Sequence, residues 1–331
     1  MEKQARLLEI RGLTIRFPAG GKGRTDSTPV RGVDLHLNRG EVLALVGESG
    51  SGKSLTGLSL LGLVPHPGRL DPGSSIRLEG VELTALRGEA LRQIRGRRIG
   101  MVFQDPLASL TPVLTIGTQL REALTAHRSL TRSEAHRRGE ALLGEVGLPD
   151  PAAGYQAYPH ELSGGMRQRA LIALGLAGEP DLLIADEPTS ALDVTVQAQI
   201  LETLDRLRAD RGMAVLLITH DLGVVAGRAD RVAVMYAGQI VEQRDTRALF
   251  REPAHPYTRA LLRAIPRLDR LGEGLVPIPG MVPSPGEWWT GCRFSPRCGE
   301  ALPRCANEEP PAVALGDDHL SRCWLAAKSK T

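Results

Sequence analysis

The stretch VLALVGESGSGKS, residues 42–54, decides the fold of this chain. Val42–Val46 is a continuous apolar run, the pattern of a buried strand in a parallel sheet, and a glycine-rich turn follows it. The turn fits the pattern G-x-x-x-x-G-K-[ST] with Gly47, Glu48, Ser49, Gly50, Ser51, Gly52, Lys53 and Ser54. Glycines let the backbone N–H groups point inward around a phosphate chain, and the positive end of the next helix adds to the attraction.

The phosphate loop predicts specific roles for its last two residues. We expect Lys53 to reach the β- and γ-phosphates of a nucleotide and Ser54 to ligate Mg²⁺. The other interpretation is a glycine-rich turn with an exposed lysine. A chance match in a strand–loop–helix context is rare, so the sequence favours a nucleotide site.

Strand and helix patterns alternate along the chain, which predicts an α/β fold with a mainly parallel sheet. Strand patterns occupy residues 8–17, 33–37, 99–103, 182–185 and 214–218, and helical periods occupy residues 55–63, 133–146 and 194–208. Residues 106–165 carry helical patterns without a good strand, so we expect an inserted helical subdomain there.

The composition changes after residue 250. Seven prolines between Pro253 and Pro285 form a connector, and the four cysteines of the chain follow it with the spacing C-x5-C-x6-C-x17-C. They are Cys292, Cys298, Cys305 and Cys323. We therefore predict one domain over residues 1–250 and a small Pro-rich, Cys-rich C-terminal extension over residues 251–331.

Charge and hydropathy exclude some classes of protein. Five of the 41 basic residues are lysine and 36 are arginine, so local arginine clusters are weak evidence for nucleic-acid binding. No apolar run reaches the roughly 18–20 residues that span a bilayer, and the first residues lack a secretory signal pattern. We expect a cytoplasmic chain, and in that reducing compartment clustered cysteines favour metal ligation over disulfides.

A second chemical motif, LLIADE at residues 182–187, ends an apolar strand with two carboxylates. Side chains at the carboxyl end of a parallel strand face the ligand crevice. Asp186 can hold Mg²⁺ through water, and Glu187 can act as the general base on the attacking water. Without the phosphate loop, such a pair would more often be a surface or capping feature.

The segment LSGGMRQR, residues 162–169, places a serine and two glycines at the start of a helix that runs to about residue 177. A helix N-terminus binds anions, so this is a second candidate phosphate site. Since the chain already has one phosphate loop, the second site suits the nucleotide of another chain. An ordinary serine-capped helix is the alternative.

In this order, the motifs resemble the ATP-binding cassette (ABC) family over residues 7–250. The signature LSGGQ of that family is similar to Leu162, Ser163, Gly164, Gly165 and Met166, with methionine at the usual glutamine position. The resemblance assigns Gln104 to the Q-loop, His220 to the switch histidine, Phe17 to adenine stacking (core packing explains this Phe equally well), and the D-loop to Ser190, Ala191, Leu192 and Asp193.

The resemblance implies an ABC-type nucleotide-binding domain, with a RecA-like core plus antiparallel β and helical subdomains. It implies an ATPase whose catalytic residues are Lys53, Glu187 and His220. It also implies Mg²⁺ ligation by Ser54, Gln104 and Asp186. Two cassettes would close head to tail, with Ser163 to Gly165 of one subunit covering the ATP held by the other.

Several segments resemble the ATPase subunits of oligopeptide, dipeptide and nickel importers. They are QDPLASLTP at residues 104–112, ADEPTSALDVTVQAQIL at 185–201, HPYT at 255–258 and GCRFSPRC at 291–298. Thr111 replaces the usual Asn, and Gly299 replaces a usual Pro. By this resemblance the four cysteines bind a [4Fe–4S] cluster, with Zn²⁺ and unmetallated thiols as alternatives.

Importer subunits of this kind imply a set of partners. These are two transmembrane permease subunits, a second ABC ATPase subunit in a heterodimer, and, indirectly, an extracytoplasmic solute-binding protein. The expected location is peripheral, on the cytoplasmic face of the inner membrane, with no nucleic-acid partner. A soluble ABC ATPase acting in DNA repair or translation is the alternative, and an exporter ATPase is disfavoured by the cysteine-containing tail.

Overall fold

A computed structural model of the chain describes residues 6–19, 26–190, 192–265, 277–283, 290–316 and 318–328. Strands within these ranges are β1 (Arg6–Phe17), β2 (Ser27–Asn38), β3 (Val42–Val46), β4 (Arg69–Leu70), β5 (Ser75–Leu78), β6 (Val81–Glu82), β7 (Ile99–Val102), β8 (Leu182–Asp186), β9 (Ala214–Thr219), β10 (Arg231–Tyr236), β11 (Gln239–Asp245), β12 (Val313–Gly316) and β13 (His319–Ser321).

Twelve α-helices lie between or after these strands in the described part of the chain. They are α1 (Lys53–Leu60), α2 (Gly88–Arg92), α3 (Pro106–Ser109), α4 (Ile116–Thr125), α5 (Arg132–Glu145), α6 (Pro151–Gln156), α7 (Gly164–Leu176), α8 (Val194–Arg211), α9 (Leu222–Ala226), α10 (Thr246–Arg251), α11 (Pro256–Arg263) and α12 (Trp324–Lys328). Among them, none combines the length and the apolar character that crossing a bilayer requires.

The described residues divide into two compact units, of which the first is rich in helices. This helix-rich unit contains residues 6–7, 37–41 and 85–217. Its strands β7 and β8 pair in parallel, with Val102 opposite Ala185. Helices α3 to α7 follow β7, so the stretch predicted to be helical contains helices and no strand among its described residues.

Side-chain caps set the starts of several helices in the helix-rich unit. Thr131 and Glu134 form a capping box at the start of α5. Asp193 caps α8 by accepting the Val196 N–H at 2.9 Å. Gly212, in a left-handed conformation, ends α8. These local signals explain why the helix bounds lie within a few residues of those that the sequence predicts.

The second unit, rich in strands, contains residues 8–36, 42–84 and 218–328 as far as the structure describes them. One sheet has the order β2-β1-β5-β6, with β4 paired to β1. A second path runs β12-β13-β11-β10-β3, in which β10 and β3 are parallel and the other pairs are antiparallel. This sheet-rich unit holds the phosphate loop at the end of β3.

The C-terminal region shares the core of the sheet-rich unit. Tyr257 in α11 and Phe294 in the cysteine-containing region pack in one buried cluster with Val46 of β3 and Tyr236 of β10. The rings of Tyr236 and Tyr257 have centroids 4.6 Å apart. Apolar burial of this kind is the main stabilising contribution to such a core. Tyr257 and Phe294 therefore join the C-terminal region to the core around β3, the strand that precedes the phosphate loop.

The β10–β11 hairpin is the main element that the sequence analysis missed. Its two-residue turn is Ala237-Gly238, and both residues have positive φ. Such a turn matches the twist of antiparallel strands. The signal was present as a glycine between two apolar runs, but continuous apolar runs also suit parallel strands, so the pattern did not identify the hairpin.

Candidate functional site

The phosphate loop connects β3 to α1 in the sheet-rich unit. Gly47 has φ 155°, and a Cβ at this position would lie 2.1 Å from the carbonyl oxygen of Met235. Only glycine fits there, because the loop backbone passes directly over β10. The Thr56 N–H donates to the Gly52 carbonyl at 3.0 Å, so α1 begins at the end of the loop, as the motif predicts.

Lys53 lies inside the loop rather than in solvent. It is 5% exposed, and its Nζ donates hydrogen bonds to the carbonyl oxygens of Gly47 at 2.8 Å and Glu48 at 3.0 Å. The ammonium group is thus held where the loop curls around it. The exposed-lysine interpretation of this motif is therefore wrong.

Glu48 has partners in the C-terminal region. Its carboxylate accepts two hydrogen bonds from Arg297, at 2.7 and 3.1 Å, and its backbone N–H donates to the Tyr257 hydroxyl at 3.0 Å. Burial raises the pKa of Tyr257 far above the usual range, so the hydroxyl stays neutral. Neither partner is predicted by a local sequence pattern; a carboxylate beside a phosphate site is the one signal that a compensating cation exists.

In the helix-rich unit, the structure brings Gln104 and Glu187 together. Val102 of β7 pairs with Ala185 of β8, and Gln104 and Glu187 each lie two positions after these paired residues. The Gln104 Nε2 donates to Glu187 Oε2 at 3.0 Å. Parallel pairing places both side chains at the same carboxyl edge, as predicted for ligand-facing residues.

The local backbone sets the position of the two carboxylates of β8. Asp186, the last residue of the strand, is 4% exposed. Glu187 has φ 47°, which is unusual for a residue with a side chain, and its carbonyl accepts hydrogen bonds from both the N–H and the Oγ of Ser190. Strained backbone of this kind often marks functional positions.

The signature segment lies at the start of α7 in the helix-rich unit. Ser163 caps the helix, with its Oγ accepting the Met166 N–H at 3.3 Å. Leu162 is buried beneath this turn, and a Cβ at Gly164 would lie 3.7 Å from the Leu192 side chain. The capped helix of the alternative interpretation is therefore present, and contact with a second chain's nucleotide stays a prediction.

The remaining D-loop and switch residues occupy element ends. Ser190 and Leu192 lie between β8 and α8, whereas Ala191 lies outside the described residues. In the sheet-rich unit, His220 follows β9 and is exposed. Their roles toward ATP stay predictions.

Phe17 ends β1 and is half-buried. A Cβ at Gly68 would lie 2.6 Å from its ring, so the ring packs closely on that turn. This packing accounts for Phe17 as a packing residue, and adenine stacking stays a prediction.

The four cysteines are free thiols, half-buried except for the buried Cys323. Burial raises the pKa of Cys292 to about 11, and electrostatic effects from the other three thiols add to that increase. They therefore lie near one another. In the part of the chain that the structure describes, however, no group of three or more His, Cys, Asp or Glu side chains is arranged to hold a metal ion. The predicted cluster is thus unsupported by the structure.

Comparisons with known proteins agree with this geometry. Residues 30–190 match the family model described as ABC transporter, and residues 241–305 match that of the oligopeptide/dipeptide transporter C-terminal region. The chain is 50% identical over 329 residues to a putative peptide import ATP-binding protein of Brucella ovis, with 96% of each chain covered. It is 47% identical over 319 residues to the oligopeptide transport ATP-binding protein AppD of Bacillus subtilis, again covering 96% of each.

Solved structures show the same cassette. The dimeric post-hydrolysis state of the ATP-binding cassette MJ0796 bound to ADP and Pi aligns with a TM-score of 0.64 at 26% identity, covering 72% of this chain and 98% of that one. The transporter component cbiO1 from Clostridium perfringens aligns with a TM-score of 0.63 at 25% identity, covering 82% and 98%. The predicted α/β cassette fold is confirmed.

A phosphate loop, a strand followed by two carboxylates and this similarity over 96% of both chains define an ABC-type ATPase. The chain belongs to the ABC transporter family, in the group of ATP-binding proteins that carry the oligopeptide/dipeptide transporter C-terminal region.

Proposed function

We propose that this chain is the ATP-hydrolysing subunit of a membrane importer for dipeptides, oligopeptides or a related small solute. One observation carries the proposal: the similarity to proteins named for peptide import extends over 96% of both chains and includes the C-terminal region. The relatives favour import over the alternative of a soluble ATPase in DNA repair or translation. Uptake would be driven by ATP-dependent closure of a cassette dimer.

In the proposed site, different residues bind the phosphates, ligate Mg²⁺ and act as the general base. Lys53 and the loop N–H groups hold the phosphates. Oxygen donors from Ser54, Asp186 and Gln104 suit Mg²⁺, which neutralises charge on the phosphates when bound. Glu187 takes a proton from the attacking water, and the Gln104 amide keeps that carboxylate oriented.

Two further contacts complete the proposed site. His220 contacts the γ-phosphate. In a head-to-tail dimer, the α7 N-terminus of one subunit, from Ser163 to Gly165, covers the nucleotide of the other. The N–H groups at that helix start favour an anion there.

Membership in this group supports the proposed assembly. Two permease subunits supply the membrane path, a second ATPase subunit completes a heterodimer, and a solute-binding protein delivers the solute. The chain would be peripheral on the cytoplasmic face of the membrane, without a nucleic-acid partner. Residues 1–250, with a helical subdomain at 106–165, form the cassette, and residues 251–331 form the extension.

Reconstitution tests this function. The chain is co-expressed with two candidate permeases and a second ATPase subunit, and the purified complex is placed in liposomes. We expect ATP hydrolysis to rise, and labelled peptide to enter, when a peptide-loaded binding protein is added. A Lys53→Ala complex is the matched control and should do neither. Stimulation by DNA or ribosomes in place of the loaded binding protein would reject import.

We also propose that the four cysteines ligate a [4Fe–4S] cluster that stabilises the fold of the C-terminal region. The proposal starts from the proximity of the four thiols, and backbone N–H groups of Phe294 and Glu300 donate hydrogen bonds to Cys292 and Cys298. Hydrogen bonds to sulfur are typical of such sites. Zn²⁺ is the metal that competes with the cluster for the same thiolate ligands.

Metal analysis tests the cluster directly. Iron and acid-labile sulfide are measured in the full-length chain after anaerobic purification, with a Cys298→Ser variant as control. Iron and sulfide that fall in the variant would support the cluster. Stoichiometric zinc without iron, or no metal, would reject it.

A further inference from the structure

We infer that Arg297, in the C-terminal region, is a positioning residue for the phosphate loop: it neutralises the Glu48 carboxylate and fixes the loop for nucleotide binding. Both residues belong to the sheet-rich unit, yet 249 positions separate them in the sequence. The inference rests on the proposed nucleotide site at residues 47–54. It does not depend on which solute the importer carries.

The Arg297 guanidinium is fixed on several sides. Besides the two bonds to Glu48, its Nε donates to the Pro279 carbonyl at 2.8 Å. Its Nη1 also lies 3.4 Å from the Tyr236 hydroxyl. The arginine side chain is 6% exposed and that of Glu48 is 25% exposed. A bidentate pair that is shielded in this way is stronger and less screened by salt than a surface ion pair.

The backbone of Glu48 is also held by hydrogen bonds, so fixing Glu48 fixes this part of the loop. Its N–H donates to the Tyr257 hydroxyl, and its carbonyl accepts from Lys53 Nζ. The residue that contacts the phosphate-binding lysine is therefore held by two side chains from the C-terminal region. A loop fixed before the nucleotide arrives loses less conformational entropy on binding.

The charges of Arg297 and Glu48 also affect nucleotide binding. A carboxylate inside a phosphate loop repels the polyphosphate chain unless a cation compensates it. Arg297 supplies that cation, held by backbone and side-chain contacts. Removing the arginine leaves an uncompensated negative charge, whereas removing both charges leaves none. The two losses should therefore offset one another in nucleotide affinity.

A double-mutant cycle on the full-length chain tests this compensation. MgATP affinity and thermal unfolding are measured for wild type, Arg297→Gln, Glu48→Gln and the double variant. We expect Arg297→Gln to bind roughly tenfold more weakly, the size of a lost charge-assisted interaction. The double variant should return to the affinity of Glu48→Gln alone. A merely structural role would instead lower MgATP affinity in Glu48→Gln as much as in Arg297→Gln, since either change breaks the same pair.

Three further variants separate the possible failures. Arg259→Gln breaks the exposed pair with Glu300 in the same region and should retain wild-type affinity. Lys53→Ala should lose binding. Wild-type binding by Lys53→Ala would overturn the nucleotide site and this inference together. Wild-type affinity in Arg297→Gln, or no restoration in the double variant, would overturn the inference alone. If Arg297→Gln unfolds, Arg297→Lys carries the test and should show a smaller loss of affinity.

Discussion

The Gln104 side-chain amide donates a 3.0 Å hydrogen bond to the Glu187 carboxylate, which joins the ends of two neighbouring parallel strands. The Gln104 amide holds one oxygen of the Glu187 carboxylate and so fixes the orientation of that carboxylate. A general base needs this fixed orientation, since proton transfer requires a short, aligned contact with the attacking water.

Glu187→Gln should nearly abolish hydrolysis while ATP still binds. The amide that replaces the carboxylate can accept the Gln104 hydrogen bond through its oxygen, but it cannot take a proton from water. We expect turnover to fall by about 10²- to 10⁴-fold. Phosphate release and nucleotide affinity, measured on the same complex, check this prediction. Glu187→Ala, which also loses the hydrogen bond, is the comparison, and normal turnover in Glu187→Gln would rule out the general-base role.

Gly47→Ala should damage the phosphate loop more than Gly50→Ala does. A methyl group at Gly47 would meet the Met235 carbonyl at 2.1 Å, whereas one at Gly50 would meet nothing within 4 Å. Gly50 has φ 78°, so its replacement costs only the left-handed backbone penalty, about 1 kcal/mol. Thermal unfolding and MgATP affinity measure the difference. Equal losses in the two variants would show that the close approach to β10 is unimportant.

Ser163 caps α7 and is predicted to contact the nucleotide of the partner subunit. Two substitutions distinguish these two roles. Ser163→Ala removes the cap of α7 and should cost about 1 kcal/mol of stability, whereas Ser163→Asn keeps a good capping residue. If the hydroxyl contacts the partner's nucleotide, both variants lose hydrolysis, by more than about tenfold. Hydrolysis and thermal unfolding are measured in the assembled complex. Normal hydrolysis by Ser163→Asn would reduce Ser163 to a helix cap.

His255 should make the protein less stable as the pH falls below 6.5. Burial lowers the pKa of His255 to about 3, and its Nδ1 accepts the Tyr257 N–H at 3.0 Å, which requires the neutral ring. Between pH 6.5 and about 3 the unfolded chain binds a proton that the folded chain excludes. The free energy of unfolding should therefore drop by about 1 kcal/mol from pH 6.5 to 5.5 through this group.

The matched variant for this pH dependence is His255→Asn, whose side-chain oxygen can still cap α11. Burial also lowers the pKa of His319, which contacts Glu242, so part of the slope should remain. Urea unfolding of both proteins at pH 6.5 and 5.5 gives the comparison. An equal loss of stability in both would show that His255 does not contribute.

Local sequence signals were sufficient for several central elements of the cassette, but not for the β10–β11 hairpin. The apolar run before Gly47 predicts the strand Val42–Val46, and the bounds of α5 and α8 lie near those expected from periodicity. Strand–helix alternation predicts a parallel sheet in which Gln104 and Glu187 each follow a strand, whereas the structure shows that these strands, β7 and β8, are neighbours. These features depend on residues close in the chain or on the regular geometry of parallel strands.

The sequence alone determined the phosphate loop, the carboxylates of β8, the helix of the signature segment and the family, because each depends on spacing within a short stretch. Only the tertiary structure joined Arg297 and Tyr257 to Glu48. Contacts across more than 200 residues leave no periodic trace, since they arise when the β10–β11 hairpin and the buried aromatic cluster bring the C-terminal region against β3.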